Sequence, residues 1–188
     1  MIISRTPLRI SFVGGGTDIK SFYENSYGMV LNTAIDKYLY VIVKRKIGIV
    51  EFKYRINWST VEFCHKIEDI KHPIAREVLK YFEIDFPIEI TTISDIPASS
   101  GMGSSSAFAV GLINAILALL KIQKTKYEIA ALASKIEVDI LKRNIGKQDH
   151  FAAAYGNLNI FKFYPDEAVE VLPVYYSNKT KKLIEDNI

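Results

Sequence analysis

The stretch that most constrains the fold is residues 96–110, IPASSGMGSSSAFAV, in which a segment rich in glycine and serine leads directly into an apolar helix. The apolar run extends over 107–120 and is hydrophobic on almost every face, which indicates a buried helix. Since a membrane span needs about 20 residues, this run predicts a core helix of a globular protein instead. Such a helix would hold the preceding loop rigidly.

The loop has the properties of an anion-binding site. Gly101 and Gly103 permit positive φ angles and the close approach of a ligand, and the serines at 104–106 stand where the helix begins. A helix start presents free N–H groups and the positive end of the helix dipole, so phosphate can bind there without a basic side chain. The loop has no lysine for a Walker sequence and lacks the third glycine of the dinucleotide fingerprint. The alternative is that the serines only cap the helix, although three adjacent serines exceed what capping requires.

Hydrophobic periodicity predicts a first half rich in strands and a second half with clustered helices. We expect strands at 8–13, 30–35, 38–46, 50–54, 59–64, 88–93, 158–163 and 168–171. We expect helices at 19–24, 73–82, 104–120, 126–141, 147–155 and, as a lone terminal helix, 177–188. Strands followed by clustered helices indicate an α+β fold in which helices cover one face of a mostly antiparallel sheet.

Composition and charge exclude several classes of protein. The chain has 188 residues, 49% of them hydrophobic, and a formal net charge of +3, which is typical of one globular domain. Its basic residues are scattered, so we expect no nucleic-acid partner. Cys64 is the only cysteine, which excludes an intrachain disulfide, and its histidine neighbours do not make a zinc-binding spacing. Because we find neither a signal-peptide layout nor a membrane-spanning run, we expect no membrane association and a cytoplasmic location.

Three motifs together resemble the GHMP small-molecule kinases, the family of the galactose, homoserine, mevalonate and phosphomevalonate kinases. PLRISFVGGGTD at 7–18 resembles the family's N-terminal motif, residues 96–107 resemble its PxxxGxGSSS loop, and GKQDHFAAAYG at 146–156 resembles its catalytic-aspartate helix. The three occur in the family's order and spacing, which is more specific than any one motif. The forms GGGTD, GxGSSS and GKQD are most similar to the D-glycero-D-manno-heptose 7-phosphate kinases.

The resemblance implies a fold, two cofactors and a reaction. The fold is that of the second domain of ribosomal protein S5, and the cofactors are ATP and Mg²⁺. The reaction is transfer of the γ-phosphate to a hydroxyl of a sugar or sugar phosphate, with the anomeric hydroxyl of D-glycero-D-manno-heptose 7-phosphate as the expected acceptor. The residues that the resemblance assigns to ATP binding are Pro97, Ser99, Ser100, Gly101, Met102, Gly103, Ser104, Ser105 and Ser106.

Glu137 is a candidate metal ligand. The apolar positions within 129–140 form one helical stripe, and Glu137 lies at the edge of that stripe. A carboxylate pressed against a core needs a partner, and Mg²⁺ prefers oxygen ligands. Pairing with a lysine, or extension of the side chain into water, is the alternative. The resemblance implies that Glu137 and Ser105 ligate the same Mg²⁺.

Asp149 and Arg9 are the candidate catalytic residues. Asp149 lies near a helix start, where capping and the helix dipole also explain an aspartate, and Arg9 alone would suit a charge at a sheet edge. The resemblance implies instead that Asp149 receives the proton of the attacking hydroxyl, with Arg9 close to it and to the transferred phosphate. Because a cation is near, we expect a low pKa for Asp149, so that it orients the hydroxyl more than it acts as a base.

The glycine turn at 14–18 is the candidate substrate site. A glycine turn followed by a capping threonine is common structure, but glycines also let a polyhydroxy ligand lie against the backbone. The resemblance implies substrate contacts from Gly15, Gly16, Thr17 and Asp18, with Asp18 accepting hydrogen bonds from sugar hydroxyls. We assign no role to the neighbour of Asp149, His150, which we expect to pack or to point outward.

The resemblance implies a second, ferredoxin-like domain in the family, and we expect this domain to be missing here. We therefore expect residues 1–174 to form the ATP-binding and catalytic domain, and 175–188 to begin the connection to a missing C-terminal domain. A homo-oligomer, in which a second copy completes the cleft, is an open alternative. Two other functions also stay open. One is a non-catalytic nucleotide- or sugar-binding module, and the other is an S5-like nucleic-acid-binding module, which the scattered basic residues disfavour.

Overall fold

The computed structural model describes residues 1–97 and 100–187, so Ser99, one of the expected ATP-binding residues, lies outside the described residues. In the described part, seven strands form one sheet. They are β1 (Ile2–Val13), β2 (Gly28–Arg45), β3 (Tyr54–Asn57), β4 (Val61–Cys64), β5 (Ile88–Ser94), β6 (Leu158–Phe163) and β7 (Val169–Pro173).

The helices are short except for one. They are α1 (Lys20–Tyr23), α2 (Pro73–Tyr81), α3 (Ser104–Leu120), α4 (Lys126–Ser134), α5 (Gln148–Tyr155) and α6 (Asn178–Glu185). A 3₁₀ turn covers Ile67–Asp69, and α4 continues without a break into a π-helical segment, Lys135–Ile140. Within the ranges 1–97 and 100–187, no helix combines the length and the apolar character that a membrane crossing requires.

The sheet is organised around the long strand β2. One edge of β2 pairs with β1, while its other edge pairs with β6 in the first part and with β5 in the last part. Strand β3 is parallel to β5, and every other pair is antiparallel. The strand order is β4-β3-β5-β2-β6-β7, with β1 alongside β2. The predicted α+β fold with a mostly antiparallel sheet is therefore confirmed.

Helix α3 lies in the core, as its apolar run predicts. It packs against β1 and β2, with α2, α4 and α5 around it. Leu112, Ile113 and Ile116 are fully buried. A Cβ atom at Gly111 would lie 2.7 Å from Thr6 Oγ1, so the backbone of α3 approaches the sheet as closely as a glycine allows. This contact fixes α3, and with it the loop that precedes the helix.

Four strand predictions were wrong in their bounds. The strands expected at 30–35 and 38–46 are one strand, because the polar break at 36–37 is a β-bulge opposite Leu8 and not a turn. The strand expected at 8–13 begins at Ile2, since pairing with β2 extends it. The strand expected at 50–54 lies instead at Tyr54–Asn57, where burial of Tyr54 and Ile56 and pairing with β5 outweigh the local alternation.

The close contact between α3 and the sheet generates a stability prediction. We expect Gly111→Val to lower the free energy of unfolding by about 2 kcal/mol, because the added carbons overpack the space beside Thr6. The exposed position Ala118 on the same helix provides the control Ala118→Val. Urea denaturation of both variants measures the difference. Equal effects of the two substitutions would contradict the proposed packing.

Candidate functional site

The glycine-serine loop leads into the start of α3 with its main-chain amides uncapped. Gly101 and Gly103 have φ angles of 75° and 76°, which favour glycine because a side chain there is strained. Gly103 is the N-cap residue of α3, and no side chain in the described part of the chain caps this helix start. The three serines that follow therefore do not serve as an N-cap. The first-turn amides are left for an anion, which is the arrangement that the sequence predicts.

Arg9 and Asp149 form a bidentate ion pair beside this loop. Arg9 comes from β1, and its Nε and Nη2 atoms each donate to a carboxylate oxygen of Asp149 at 2.6 Å. The third nitrogen, Nη1, donates to the carbonyl of Gly101 at 2.8 Å. A Cβ atom at Gly103 would lie only 3.1 Å from Asp149 Oδ2. Glycine at 103 thus lets the loop lie directly against the ion pair.

The pKa of Asp149 differs from our expectation. Burial raises the pKa of this carboxyl above its usual value, and the charge and hydrogen bonds of Arg9 offset only part of that effect. The prediction of a low pKa was therefore wrong. It considered the nearby cation and the helix start but not the loss of water around a side chain that α5 holds against the loop.

Glu137 lies at the centre of a second polar cluster. Its side chain has no exposed surface, and its Oε1 atom accepts hydrogen bonds from Ser105 Oγ and from Arg143 Nη1, both at 2.6 Å. The other oxygen, Oε2, lies 2.9 Å from Nε2 of His150, which is also fully buried. Burial alone would raise the pKa of Glu137, but the hydrogen bonds from His150 and Ser105 and the charge of Arg143 hold the pKa below its usual value. The anionic form is thus the stable one.

A π-helical turn places this glutamate. The sequence predicts a continuous α-helix over 126–141 with Glu137 at the edge of its apolar stripe, but α4 ends at Ser134 and the π-helical segment carries Glu137. The wider turn, closed by the hydrogen bond from Leu141 N to Ile136 O, gives Glu137 a direction that an ideal helical wheel does not predict. The alternative in which Glu137 extends into water is excluded. Its basic partner is Arg143, not a lysine.

The oxygen pair formed by Ser105 and Glu137 fits a magnesium ion in its chemistry. A hydroxyl and a carboxylate oxygen, 2.6 Å apart, are the hard ligands that Mg²⁺ prefers. Arg143 Nη1 now donates to both of them, at 2.5 Å to Ser105 Oγ and 2.6 Å to Glu137 Oε1. Among the described residues, no group of three or more histidine, cysteine, aspartate or glutamate side chains could hold a metal. Any further ligands would have to come from a nucleotide or from water.

The GGGTD turn is tied to the start of α5 through Asp18. Asp18 is only 2% exposed, and its carboxylate accepts hydrogen bonds from the amides of Gly16 and Gln148 at 3.0 and 2.9 Å. A Cβ atom at Gly146 would lie 1.8 Å from Asp18 Oδ2, so this approach requires the glycine of the GKQD motif. Thr17 holds the start of β2, with its hydroxyl accepting from Met29 N at 2.9 Å.

The expected substrate residues therefore differ in their exposure. Gly15 and Gly16 are exposed, Thr17 is half-buried and Asp18 is buried. The two glycines have the most accessible surface, while the oxygens of Asp18 already accept hydrogen bonds from the protein. A direct contact of Asp18 with a sugar stays a prediction.

Sequence reasoning missed two residues of the site. His150 was expected to pack or to point outward, and it packs, but its contact with Glu137 was not predicted. No sequence pattern pointed to Arg143. It lies in an irregular segment after Ile140, and its contacts depend on the π-helical turn. The one indication for His150 was its position within the motif at 146–156.

A cavity of about 870 Å³ lies next to the loop and not over these clusters. Its lining includes Met102 from the loop and Ile184 from α6, and it does not include Asp149 or Glu137. The two polar clusters therefore lie outside the cavity and are defined by their hydrogen bonds and burial. The loop, through Met102, is the element that lines the cavity and also contacts the clusters.

The cluster at Glu137 generates a prediction on pH and stability. Because the pKa of Glu137 is lower in the folded than in the unfolded chain, its ionised form stabilises the fold above the usual pKa of 4.5, and this contribution is lost as the pH falls through the folded-state pKa. We expect Glu137→Gln to lower the free energy of unfolding at neutral pH by about 3 kcal/mol. The loss should shrink towards low pH.

Urea denaturation at several pH values measures this difference. Glu24→Gln, at an exposed glutamate, is the control and should change stability little at any pH. A constant difference between wild type and Glu137→Gln from neutral to acid pH would contradict the prediction.

Comparison with known proteins identifies the family of this domain. Residues 69–157, which include the loop, Glu137 and Asp149, match the family described as GHMP kinases N terminal domain. The chain is 34% identical over 186 residues to a D-glycero-alpha-D-manno-heptose 7-phosphate kinase of Campylobacter jejuni, and the match covers 94% of this chain and 55% of that protein. It is 25% identical to a galactokinase of Thermotoga petrophila, with 98% of this chain and 53% of that protein covered. The chain thus spans about half the length of the curated relatives it matches.

Solved structures agree with this result. A D-glycero-D-manno-heptose 1-phosphate kinase from Bacteriodes thetaiotaomicron superposes with a TM-score of 0.84 at 26% identity, over 95% of this chain and 61% of that one. A mevalonate kinase superposes with a TM-score of 0.70 at 18% identity, over 99% of this chain and 59% of that one, and shows the fold alone. The expected fold, like that of the second domain of ribosomal protein S5, is confirmed. Residues 69–157 therefore belong to the N-terminal domain of the GHMP kinases.

Proposed function

We propose that residues 1–174 form the ATP-binding and catalytic domain of a sugar kinase, which transfers the γ-phosphate of ATP to a hydroxyl of a sugar or sugar phosphate. The observation that carries this proposal is the Arg9–Asp149 ion pair, with 2.6 Å contacts, against the loop at the start of α3. Phosphoryl transfer needs a bound polyphosphate, positive charge at the transferred group and a group that orients the attacking hydroxyl. The two clusters and the loop provide one candidate for each need.

The polyphosphate of ATP binds at the start of α3. Its first-turn amides and the positive end of the helix dipole attract the anion, and the glycines at 101 and 103 let the phosphates approach the backbone. Burial of α3 keeps these amides in place when the nucleotide leaves. The residues assigned to this site are Pro97, Ser99, Ser100, Gly101, Met102, Gly103, Ser104, Ser105 and Ser106.

Ser105 and Glu137 would hold the magnesium ion. When bound, Mg²⁺ supplies positive charge to the phosphate oxygens of the nucleotide. Glu137 is suited to this role because it stays ionised while fully buried, and His150 fixes the direction of its carboxylate. Because Ser105 belongs to the first turn of α3, both ligand oxygens lie at the helix end where the phosphates would bind.

Asp149 and Arg9 act on the acceptor hydroxyl and on the transferred phosphate. The carboxylate of Asp149 accepts a hydrogen bond from the hydroxyl, orients it and takes its proton as the new P–O bond forms. At the same time the bond between the γ-phosphorus and the β,γ-bridging oxygen breaks, and ADP leaves with that oxygen. The raised pKa of Asp149 makes it a stronger base than an exposed aspartate. Arg9 keeps this carboxylate in position and brings positive charge next to the phosphate.

The acceptor that we propose is D-glycero-D-manno-heptose 7-phosphate, phosphorylated at its anomeric hydroxyl. The relative at 34% identity bears the name of a kinase for this sugar phosphate. The glycine turn at 14–18 lies next to the start of α5, so its exposed glycines are placed to contact a sugar near Asp149. In this arrangement Asp18 supports the turn through the amide of Gly16, and its own contact with the sugar requires the turn to open.

The decisive variant is Asp149→Asn in the natural protein. We expect turnover to fall by about a thousandfold, because the amide can accept a hydrogen bond but cannot take a proton. Nucleotide affinity should change by less than about threefold, since Asp149 is not part of the loop that binds phosphate. Asp139→Asn, an exposed aspartate, is the matched control. Turnover of the Asp149 variant within about tenfold of wild type would remove Asp149 from this role.

A panel of acceptors measures the substrate class. ATP consumption is followed with heptose 7-phosphate, other sugar phosphates, free sugars, mevalonate and homoserine. We expect turnover with heptose 7-phosphate and little with the two non-sugar alcohols. Turnover of mevalonate or homoserine with all sugars inert would overturn the substrate class. Nucleotide binding without turnover of any acceptor would favour the non-catalytic module.

The ion pair also predicts a shift in the pH dependence of turnover. Since Arg9 lowers the pKa of Asp149, Arg9→Gln should raise that pKa further and move the acid limb of the kcat/KM profile to higher pH. Arg5→Gln, an exposed arginine on the same strand, is the control and should leave the limb unchanged. An unshifted acid limb in the Arg9 variant would show that the titrating group is not Asp149.

A further inference from the structure

The carboxylate of Glu137 already has a cation bound to it. The side chain is fully buried, so an unpaired negative charge there would be strongly unfavourable. Arg143 supplies the opposite charge, and its Nη1 atom also donates to Ser105 Oγ at 2.5 Å. The guanidinium therefore binds the same two oxygens that a metal ion would need.

Of the partners of Glu137, Arg143 is the one placed to leave. His150 is fully buried on α5, and Ser105 is part of α3. The side chain of Arg143 is 33% exposed and belongs to the irregular segment between the π-helical turn and α5. Its backbone stays attached, because Arg143 N donates to Glu137 O at 3.0 Å. Only the side chain has to move to open the oxygen pair.

Comparison of the two arginines of the site supports the same conclusion. Arg9 binds Asp149 with two nitrogens in a bidentate pair and is only 14% exposed. Arg143 contacts its two oxygens through the single atom Nη1. A bidentate pair holds a guanidinium more firmly than contacts through one nitrogen. Arg9 is therefore the fixed cation of the site, and Arg143 is the exchangeable one.

We propose that Arg143 is the resident counter-ion of the Glu137–Ser105 oxygen pair and that a divalent cation binds there only by displacing the Arg143 guanidinium. This inference rests on the proposed function in one respect, that Ser105 and Glu137 are the metal ligands. Two cations cannot share Glu137 Oε1 without strong repulsion, so Arg143 and the metal compete. The exchange keeps the buried carboxylate neutralised both before and after the metal binds. Arg143 thereby sets the metal concentration at which the site fills.

The test is a titration with Mn²⁺, a paramagnetic substitute for Mg²⁺, followed by electron paramagnetic resonance in the presence of a non-hydrolysable ATP analogue. We expect Arg143→Gln to bind Mn²⁺ at least about tenfold more tightly than wild type, because the competing charge is gone. Lys142→Gln removes the same charge from the exposed neighbouring residue and should bind within about twofold of wild type. The double variant Glu137→Gln/Arg143→Gln should bind Mn²⁺ no more tightly than wild type, because the carboxylate that holds the metal is gone.

Thermal unfolding provides a second measurement on the same variants. Without metal, Arg143→Gln should melt below wild type, since Glu137 has lost its counter-ion, and Mn²⁺ should raise its melting temperature more than that of wild type. Equal or weaker Mn²⁺ binding by Arg143→Gln, or a gain that persists without Glu137, would overturn the proposal. If either result is found while the enzyme still turns over, the proposal on Arg143 fails and the kinase assignment stands. Failure of the kinase assignment itself would instead appear as absence of turnover with every acceptor of the panel.

Discussion

The first turn of α5 is the element on which the arrangement of the site depends. Its three consecutive residues, 148–150, each hold a charged side chain from a different part of the chain: the first binds Asp18, the second Arg9 and the third Glu137. One helical turn thus connects the glycine turn, the sheet and the π-helical segment. Displacement of this turn would disturb Asp18, Arg9 and Glu137 together, so the helix start acts as their common support.

Much of the fold could be predicted from the sequence, because the strongest signals are local. The apolar run at 107–120 predicts the buried helix, and the alternation in the first half predicts a sheet. The predicted strand bounds were wrong where pairing with a distant strand determines where a strand begins or ends. The polar pair at 36–37 resembles a turn, yet β1 pairs on both sides of it and converts it into a bulge within one strand. Pairing of this kind comes from distant residues, and no local pattern contains it.

The residues of the site could be predicted where they belong to one of the three sequence motifs. The sequence indicates the loop, the helix start and the aspartate at 149, and the structure brings them together with Arg9. It places Glu137 at the edge of an apolar stripe but does not indicate its complete burial or its pairing with Arg143, because both depend on the π-helical turn that replaces an ordinary helical one. The prediction of the pKa of Asp149 was wrong for a related reason. Local sequence shows a neighbouring cation, but desolvation depends on everything that packs around the carboxyl.

The charges of the two clusters favour a nucleotide that arrives with its own cation. Together with the neighbouring Asp18, the two clusters contain three carboxylates, the others being Glu137 and Asp149, and two guanidiniums, so acidic side chains outnumber basic ones by one. A polyphosphate adds further negative charge. The amides of α3 carry only the partial charge of a helix end, which is about half a unit. Positive charge brought by a divalent ion would restore the balance, and this requirement matches the oxygen pair that Arg143 now covers.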